Sequence, residues 1–178
     1  FMDINTGERW VDSEVSSIDT AILVAGALTA GEYFKSMNPN IETKAKQIYA
    51  NINWNSFIDT TPGGHYGQLY KQWMPDGPGH NNGHWDYNDE SLLLYLLAIG
   101  SPVPQYAISP DYYYSVVREL GSYGTDGKPV IQSWFGSLFA HQYANAFFDF
   151  RDRHDRRNIN WWQNGVDATI ANRQFCLD

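Results

Sequence analysis

Cysteine, basic side chains and long apolar runs are all scarce in this chain of 178 residues, and each shortage excludes a class of protein. The single cysteine, Cys176, excludes an internal disulfide and a cysteine-based zinc site, and we expect it to be a small buried apolar residue. Twelve basic residues against 20 acidic ones give a formal net charge of −8, which disfavours nucleic acid as a partner. The longest apolar candidate, residues 21–30, is too short to span a membrane.

The start of the chain also lacks the usual features. It begins with Phe1 rather than Met, and no signal-peptide pattern follows. We expect that processing or truncation removed the original start, so the cellular location is not readable from this end of the sequence.

Apolar and aromatic residues, by contrast, are abundant. The chain is 43% hydrophobic, which is enough for one globular domain with a sizeable core over residues 1–178. Aromatic residues make up 16%, with seven Trp and 12 Tyr. Core packing accounts for part of this excess, and a sugar-binding cleft lined by aromatic rings would account for more.

The most informative segment is residues 77–97. A polar loop with Gly and Pro occupies 77–90 and runs directly into an apolar stretch at 92–97, which has no polar face and is predicted to be buried. Rings that stack on sugars and acids that transfer protons are the usual equipment of a carbohydrate site. The loop supplies both, together with two histidines: Trp85, Tyr87, Asp86, Asp89, Glu90, His80 and His84.

Six helices and no strands are predicted, with at least half of the residues helical. The first helix begins with a capping box, Ser16 with Asp19 three residues later, and the fourth begins at Ser109, a good N-cap followed by Pro110. Buried helices alternate with amphipathic ones, which indicates a toroid of helical hairpins with residues 22–28, 92–97 and 138–147 in its core. The predicted helices cover about residues 16–34, 41–51, 89–99, 109–121, 134–150 and 161–175.

Other kinds of site have less support. His80, His84 and Asp86 have a spacing that a metal could use, but no fourth ligand is evident and a Gly-rich loop is poorly preorganised, so no metal is predicted. No nucleophile-elbow motif supports Ser-His-Asp chemistry, and no Gly-rich phosphate loop stands between a strand and a helix. We therefore predict that no cofactor is needed.

Four segments carry a further signal: residues 1–21 (FMDINTGER, then SEVSSIDTA), 88–102 (NDE, then LYLLAIGSP), 138–152 (LFAHQY, then DFRD) and 164–176. In this order they resemble the glycoamylase-like domain family, whose characterised members include inverting endo-β-1,2-glucanases and parts of cyclic β-1,2-glucan synthases. The resemblance implies an all-α fold, the (α/α)6 toroid. Because the family domain is about twice as long, about half of the toroid is expected in this chain. The remainder of the toroid, or a second copy, is then an expected partner.

The resemblance implies a bacterial glycoside hydrolase of carbohydrate metabolism that cleaves β-glucan, in the first place β-1,2-linked, by inverting acid–base hydrolysis. Its partner would be an oligo- or polysaccharide, and its location the periplasm or the outside of the cell. Two alternatives stay open, namely a non-catalytic carbohydrate-binding module and a glucoamylase-like hydrolase of α-glucan. Turnover on soluble glucan would separate the binding module from the enzymes.

Three carboxylates are candidates for catalysis. Glu90 is predicted in the first turn of the third helix, where an acid interacts favourably with the helix dipole, and the resemblance favours it as the general acid. Glu14 precedes the Ser16 cap, where it could be a solvated loop acid, and the resemblance favours a catalytic or substrate-positioning role for it. Asp19 has a structural explanation as the third residue of the capping box, and an equally weighted catalytic one.

Candidates for contact with the sugar lie on several segments. An imidazole beside an amide, as at residues 141–142, can bind sugar hydroxyls, although a hydrogen-bonded core histidine is an equally good explanation. Asp149 and Asp152 flank Arg151 and predict a structural ion pair instead. The predicted substrate-binding residues are Trp10, Trp85, Asp86, Tyr87, His141 and Gln142.

Overall fold

The fold is described from a computed structural model for residues 2–80, 83–124, 127–133 and 136–178. These residues form two compact units. Unit 1 comprises Phe1–Asp86 and Leu94–Ser115, and unit 2 comprises Tyr87–Leu93 and Val116–Asp178. The sequence predicted one domain over the whole chain, and that grouping stays a prediction.

Helices provide most of the regular structure. Within the described ranges, the α-helices are α1 (Ser17–Phe34), α2 (Pro39–Ala50), α3 (Ser91–Ile99), α4 (Leu138–Gln142) and α5 (Trp161–Phe175). Short 3-10 helices cover Trp54–Phe57, Pro110–Ser115 and Ala144–Ala146. Fewer than half of the described residues are helical, so the expectation of at least half is wrong.

Short strands, which the sequence did not predict, add three small antiparallel sheets to the described part of the chain. In unit 1, β1 (Val15–Ser16), β3 (Gln72–Met74) and β4 (Gly79–His80) form one sheet, and β2 (Leu69–Tyr70) pairs with β5 (His84–Trp85). In unit 2, β6 (Leu120–Gly121) pairs with β7 (Val130–Ile131). Strands of two or three residues are too short to display the alternation of apolar and polar residues that reveals a strand in a sequence.

In unit 1, α1 and α2 form a helical hairpin. The Ser16 hydroxyl accepts a hydrogen bond from the Asp19 backbone N–H at 3.2 Å, so the predicted N-cap is confirmed. The helices approach closely at Gly31, where an added Cβ would lie 3.1 Å from the Ala45 Cβ. A side chain larger than hydrogen at residue 31 would therefore push the two helices apart.

The leucine run forms α3, as predicted. Leu93, Leu94 and Ala98 are fully buried, which explains why this helix has no polar face. The helix begins at Ser91 rather than at residue 89, because the Asp89 carboxylate accepts a hydrogen bond from the Ser91 backbone N–H at 2.8 Å.

The predicted fourth and fifth helices are much shorter in the structure. After the turn Pro110–Ser115, the Ser115 hydroxyl donates to the carbonyl of Tyr112 at 2.7 Å or of Gly67 at 3.1 Å, and the chain then becomes extended. Just after α4, the side-chain amide of Asn145 donates to the His141 carbonyl at 2.9 Å, which competes with continuation of the helix. The predicted start of the fifth helix at Trp134 lies outside the described residues.

Three expectations about burial are also corrected. Cys176 is exposed rather than buried. Leu23 is 60% exposed within the predicted core segment 22–28, and of segment 138–147 only Ala140 and Ala144 are buried.

In the part of the chain that the structure describes, no helix is both long and apolar enough to cross a membrane.

Candidate functional site

The segment that carries Glu90 is held firmly in unit 2. Tyr87 forms a parallel β-bridge with Val117, and the Asn88 backbone N–H donates to the Val117 carbonyl at 3.1 Å. The buried side chain of Asn88 also donates to the Ile131 carbonyl at 3.2 Å. Glu90 is half-buried directly before α3, so its prediction within the first helical turn is wrong by one position, although it still lies at the positive end of the helix dipole.

A second amide, Asn164 of α5, ties three elements of unit 2 together. Its Oδ1 accepts a hydrogen bond from the Ile131 N–H at 2.8 Å, and its Nδ2 donates to the Ile131 carbonyl at 3.3 Å. The same Nδ2 lies 3.4 Å from Nδ1 of His141 in α4. Asn164 was part of a family motif in the sequence, but its contacts lie 33 and 23 residues away and no local pattern could have revealed them.

His141, one of the predicted sugar contacts, is half-buried beside this amide. Burial lowers the pKa of His141 below its usual value, so the neutral imidazole is favoured near pH 7. The ring borders a groove of about 510 Å³ in unit 2. Its neighbour Gln142 is exposed, and its amide donates to the Thr169 hydroxyl at 3.4 Å.

The predicted acids of unit 1 lie on either side of strand β1. Glu14 is half-buried directly before the strand, and Asp19 is exposed in the first turn of α1. Their separation by the strand and the cap agrees with the expectation that Glu14 lies outside the helix. The two side chains therefore do not share one helix face.

The loop that leads to Glu14 has its own anchor. The Arg9 Nε donates to the Ser13 carbonyl at 2.7 Å, and its guanidinium pairs with Asp76. Trp10 lies within this loop and is 55% exposed. An exposed indole on an anchored loop is suitable for stacking on a sugar, and that role stays a prediction.

Trp85 is held differently from Trp10. Only 7% of it is exposed, its Nε1 donates to the Ser17 hydroxyl at 2.9 Å, and the Lys71 Nζ lies 4.9 Å from the ring centre. Its main observed role is thus to join β5 to the start of α1. The half-buried Asp86 and Tyr87 follow it in the chain, and their predicted sugar contacts remain predictions.

Unit 1 also contains a buried pair that the sequence did not predict. The His84 Nε2 lies 3.0 Å from an Asp59 carboxylate oxygen, with side-chain exposures of 5% and 10%. Burial by itself raises the pKa of Asp59, but hydrogen bonds from Thr61, Tyr70 and His84 outweigh it and lower the pKa overall. His84 is therefore paired with Asp59, which lies 25 residues earlier in the chain.

Aromatic stacking encloses this pair. The ring of His84 stacks on His65 with centroids 4.3 Å apart and contacts Tyr70 at 4.4 Å, and Tyr70 in turn stacks on His80 at 4.5 Å. Across the described ranges, no three His, Cys, Asp or Glu side chains are arranged to hold a metal ion. Rings in face-to-face contact stabilise the fold by packing, and their nitrogens do not converge on a point.

Comparison with known families identifies the chain. The Glycoamylase family model, described as "Putative glucoamylase", matches residues 82–178, which is more than half of the sequence and contains the Glu90 segment, Asn164 and His141. The chain belongs to this family.

Individual relatives support the same assignment. The chain is 29% identical, over an alignment 215 positions long, to an exo β-1,2-glucooligosaccharide sophorohydrolase (non-reducing end) of Parabacteroides distasonis, covering all of this chain and 28% of that protein. Its fold is similar to a β-1,2-glucanase of Parabacteroides distasonis (TM-score 0.74, 22% identity, 90% of this chain and 26% of that one). It is also similar to an endo-β-1,2-glucanase of Chitinophaga pinensis (TM-score 0.72, 20% identity, 90% and 40%). The chain therefore spans about a quarter to two fifths of the length of these relatives.

Proposed function

We propose that this chain is part of a glycoside hydrolase that cleaves β-1,2-linked glucan with inversion. The observation that carries the proposal is the position of Glu90. It lies in the segment matched by the family model, at the start of a buried helix, on a backbone fixed by Asn88. The β-1,2 linkage in the proposal is taken from the names of the two relatives from Parabacteroides distasonis.

In this proposal Glu90 is the general acid that protonates the leaving glycosidic oxygen. In the same step a second carboxylate activates water on the opposite face of the sugar, which in an inverting enzyme requires carboxyl groups roughly 6.5–9.5 Å apart or a relay through water. Glu14 and Asp19 are the candidates for that role or for positioning the reacting sugar. Trp10 would contribute a stacking surface, because its ring is largely exposed.

The proposal extends to the whole protein. We infer an (α/α)6 toroid to which this chain contributes about half, the remainder being supplied by further sequence. A location in the periplasm or outside the cell belongs to the same proposal, and fractionation of the producing cells would test it.

The first experiment replaces Glu90 by Gln in the active protein. The variant keeps the shape of the side chain and removes its titrating proton, so turnover is expected to fall about 10²–10⁴-fold while sugar binding is largely kept. Glu119→Gln is the matched control, because Glu119 is an exposed glutamate of the same unit. If Glu90→Gln retains parental turnover at an unchanged melting temperature, the acid must be assigned to another residue.

The second experiment measures release of reducing sugar from β-1,2-, β-1,3-, β-1,4- and α-1,4-glucans. We expect the β-1,2-glucan to be cleaved fastest. A preference for the α-1,4-glucan would instead support the glucoamylase-like alternative. Binding of glucan without turnover on any of the four would support the carbohydrate-binding module.

A further inference from the structure

We propose that the groove in unit 2 binds a neutral glucosyl unit, with the His141 Nε2 and the Ser133 hydroxyl as hydrogen-bonding groups. The identity of the sugar rests on the proposed function, whereas the existence of the site rests on the groove itself. Its volume of about 510 Å³ is within the usual range for small-ligand sites. The groove is lined by, among others, Tyr123, Gln132, Ser133, His141, Asn172 and Phe175.

The composition of the groove selects an uncharged ligand. None of the described residues that line it is Asp, Glu, Lys or Arg, although 18% of the chain consists of these four types. Among the described lining residues, a phosphate or carboxylate ligand would find no cationic partner, and a cationic ligand would find no anionic one. Hydroxyl, amide and imidazole groups remain, and these are suitable partners for the hydroxyls of a sugar.

Ser133 provides an independent sign that a ligand belongs in the groove. The residue is 5% exposed, and its Oγ has no hydrogen-bond partner in the described structure. A buried hydroxyl without a partner costs roughly 1–3 kcal/mol, so it is seldom kept without a reason. The residue lines the groove, and a turn of its side chain about χ1 would bring the hydroxyl to the groove, where a sugar hydroxyl would satisfy it.

The proton on His141 is placed by Asn164. The Oδ1 of Asn164 accepts from the Ile131 N–H at 2.8 Å, which leaves its Nδ2 to face the His141 Nδ1 at 3.4 Å. An amide nitrogen can only donate, so Nδ1 of a neutral His141 accepts and its proton lies on Nε2. His141 thus offers an N–H donor to an oxygen atom in the groove.

The other walls suit the two kinds of surface that a pyranose ring presents. Tyr123 and Phe175 meet edge to face with centroids 5.5 Å apart, and they provide an apolar surface for the C–H face of the ring. Asn172 and Gln132 provide amides for its hydroxyl rim. Further sequence of a longer protein is the rival occupant, and the experiment below separates the two.

The experiment titrates the protein with glucose and with sophorose, the β-1,2-linked diglucose, by calorimetry. In parallel, two-dimensional NMR follows the ring nitrogens of His141. We expect saturable binding that shifts the His141 Nε2 resonance. Ser133→Ala should weaken binding about 3–10-fold, the value of one hydrogen bond. Its melting temperature should stay unchanged or rise, because the variant removes an unpartnered buried hydroxyl.

Two further variants complete the design. Asn172→Ala, on the half-buried face of α5, should weaken binding by a similar factor. Ser137→Ala is the matched control, because Ser137 precedes α4, makes no capping hydrogen bond with its side chain and does not line the groove. It should bind sugar like the parent.

The proposal is overturned if neither sugar binds, or if Ser133→Ala and Asn172→Ala bind like Ser137→Ala. The first result would be expected if further sequence fills the groove. The fate of the hydrolase proposal is read separately from turnover. If the parent protein binds sugar through Ser133 but never cleaves glucan, the groove is a sugar site and the hydrolase proposal is contradicted. If the parent protein cleaves glucan and the groove variants bind sugar like the parent, the hydrolase proposal is supported and the groove proposal is contradicted.

Discussion

Each compact unit contains a histidine held by a neighbouring side chain, which is a carboxylate in unit 1 and an uncharged amide in unit 2. His84 of unit 1 is paired with the Asp59 carboxylate and stacked between His65 and Tyr70. His141 of unit 2 faces the uncharged amide of Asn164 and borders an open groove. The ring faces of His84 are covered by neighbouring rings, whereas an edge of His141 is available to a ligand.

The comparison separates a histidine that stabilises a fold from one that is suited to recognition. A carboxylate partner and stacked rings make His84 part of a buried network, and loss of one member leaves the others unsatisfied. A neutral amide partner sets the tautomer of His141 without satisfying both ring nitrogens.

Removal of Asp59 should be the most damaging change. Asp59→Ala leaves His84, Tyr70 and the Thr61 N–H without their shared acceptor, so we expect the free energy of unfolding to fall by about 3–5 kcal/mol. For a protein of this size the melting temperature should fall by roughly 6–20 °C. The measurement is thermal and urea unfolding.

Asp149→Ala is the control for that experiment. Asp149 also has a partner, Arg151, in the ion pair that the sequence predicted, but both side chains are exposed. Its removal should leave the melting temperature almost unchanged, because exposed ion pairs contribute little. If Asp59→Ala and Asp149→Ala lowered the melting temperature equally, the buried Asp59–His84 pair would contribute no more to stability than an exposed ion pair.

Asp59 also shows where prediction from the sequence stops. The Ser16 cap, the leucines of α3 and the extent of α5 were predicted because their causes lie within a few residues of one another. The His84–Asp59 pair joins residues 25 apart, and it was missed because no local pattern encodes such a contact.

The same limit explains the errors in the fourth and fifth helices. Ser115 bonds to a carbonyl 48 residues away, and Gly136, with φ of 70°, lies in a left-handed conformation that ends regular helix. For the candidate site, sequence reasoning selected His141 and Glu90 through motifs. The motifs also contained Asn88 and Asn164, but the sequence did not reveal the long-range contacts of these amides or the buried hydroxyl of Ser133.

Asn164→Ala should have the next largest effect. It leaves the Ile131 N–H without its acceptor, so we expect a loss of about 1–3 kcal/mol in the free energy of unfolding. Asn164→Asp keeps an acceptor for the Ile131 N–H but puts an oxygen where Nδ2 donates to the Ile131 carbonyl at 3.3 Å, so its loss of stability should be of similar size. Its carboxylate should raise the pKa of His141, as followed by NMR. An unchanged His141 pKa in Asn164→Asp would contradict the contact between the two side chains.

The two units should also respond to acid in different pH ranges. Burial lowers the pKa of His141 from its ordinary 6.5, so protonation favours the unfolded chain, and stability should begin to fall as the pH drops below about 6.5. The pKa of Asp59 is lowered from 3.8, so its contribution is present above that value and is lost only as the pH falls further, through the lowered pKa.

Hydrogen exchange at the backbone amides would follow the two units separately. Between pH 7.5 and 5.5 we expect protection to decrease first around Ile131 in unit 2, while the amide of Leu69 in unit 1 keeps its protection. His141→Gln, which cannot titrate, should remove the change in unit 2. A loss of protection that begins around Leu69 would contradict the expectation that unit 2 responds to acid before unit 1.

The smallest expected effect comes from the helix caps. The caps of α1 and α5 use the same kind of side-chain hydrogen bond, so they allow unit 1 to be compared with unit 2. Ser16→Ala removes the acceptor of the Asp19 N–H in unit 1, and Asn160→Ala removes the acceptor of the Gln163 N–H in unit 2. Each should cost about 1 kcal/mol, because each exposes one backbone N–H at a helix start. Urea unfolding would measure both values.

The cap of α1 differs from that of α5 in one respect, since it also places Asp19. If Asp19 takes part in hydrolysis, Ser16→Ala should lower turnover beyond what its stability loss explains, whereas Asn160→Ala should not. Turnover measured well below both melting temperatures separates the two effects. Equal turnover in the two variants would assign Asp19 to the capping box alone, and Glu14 would then be the remaining acid of unit 1 to test.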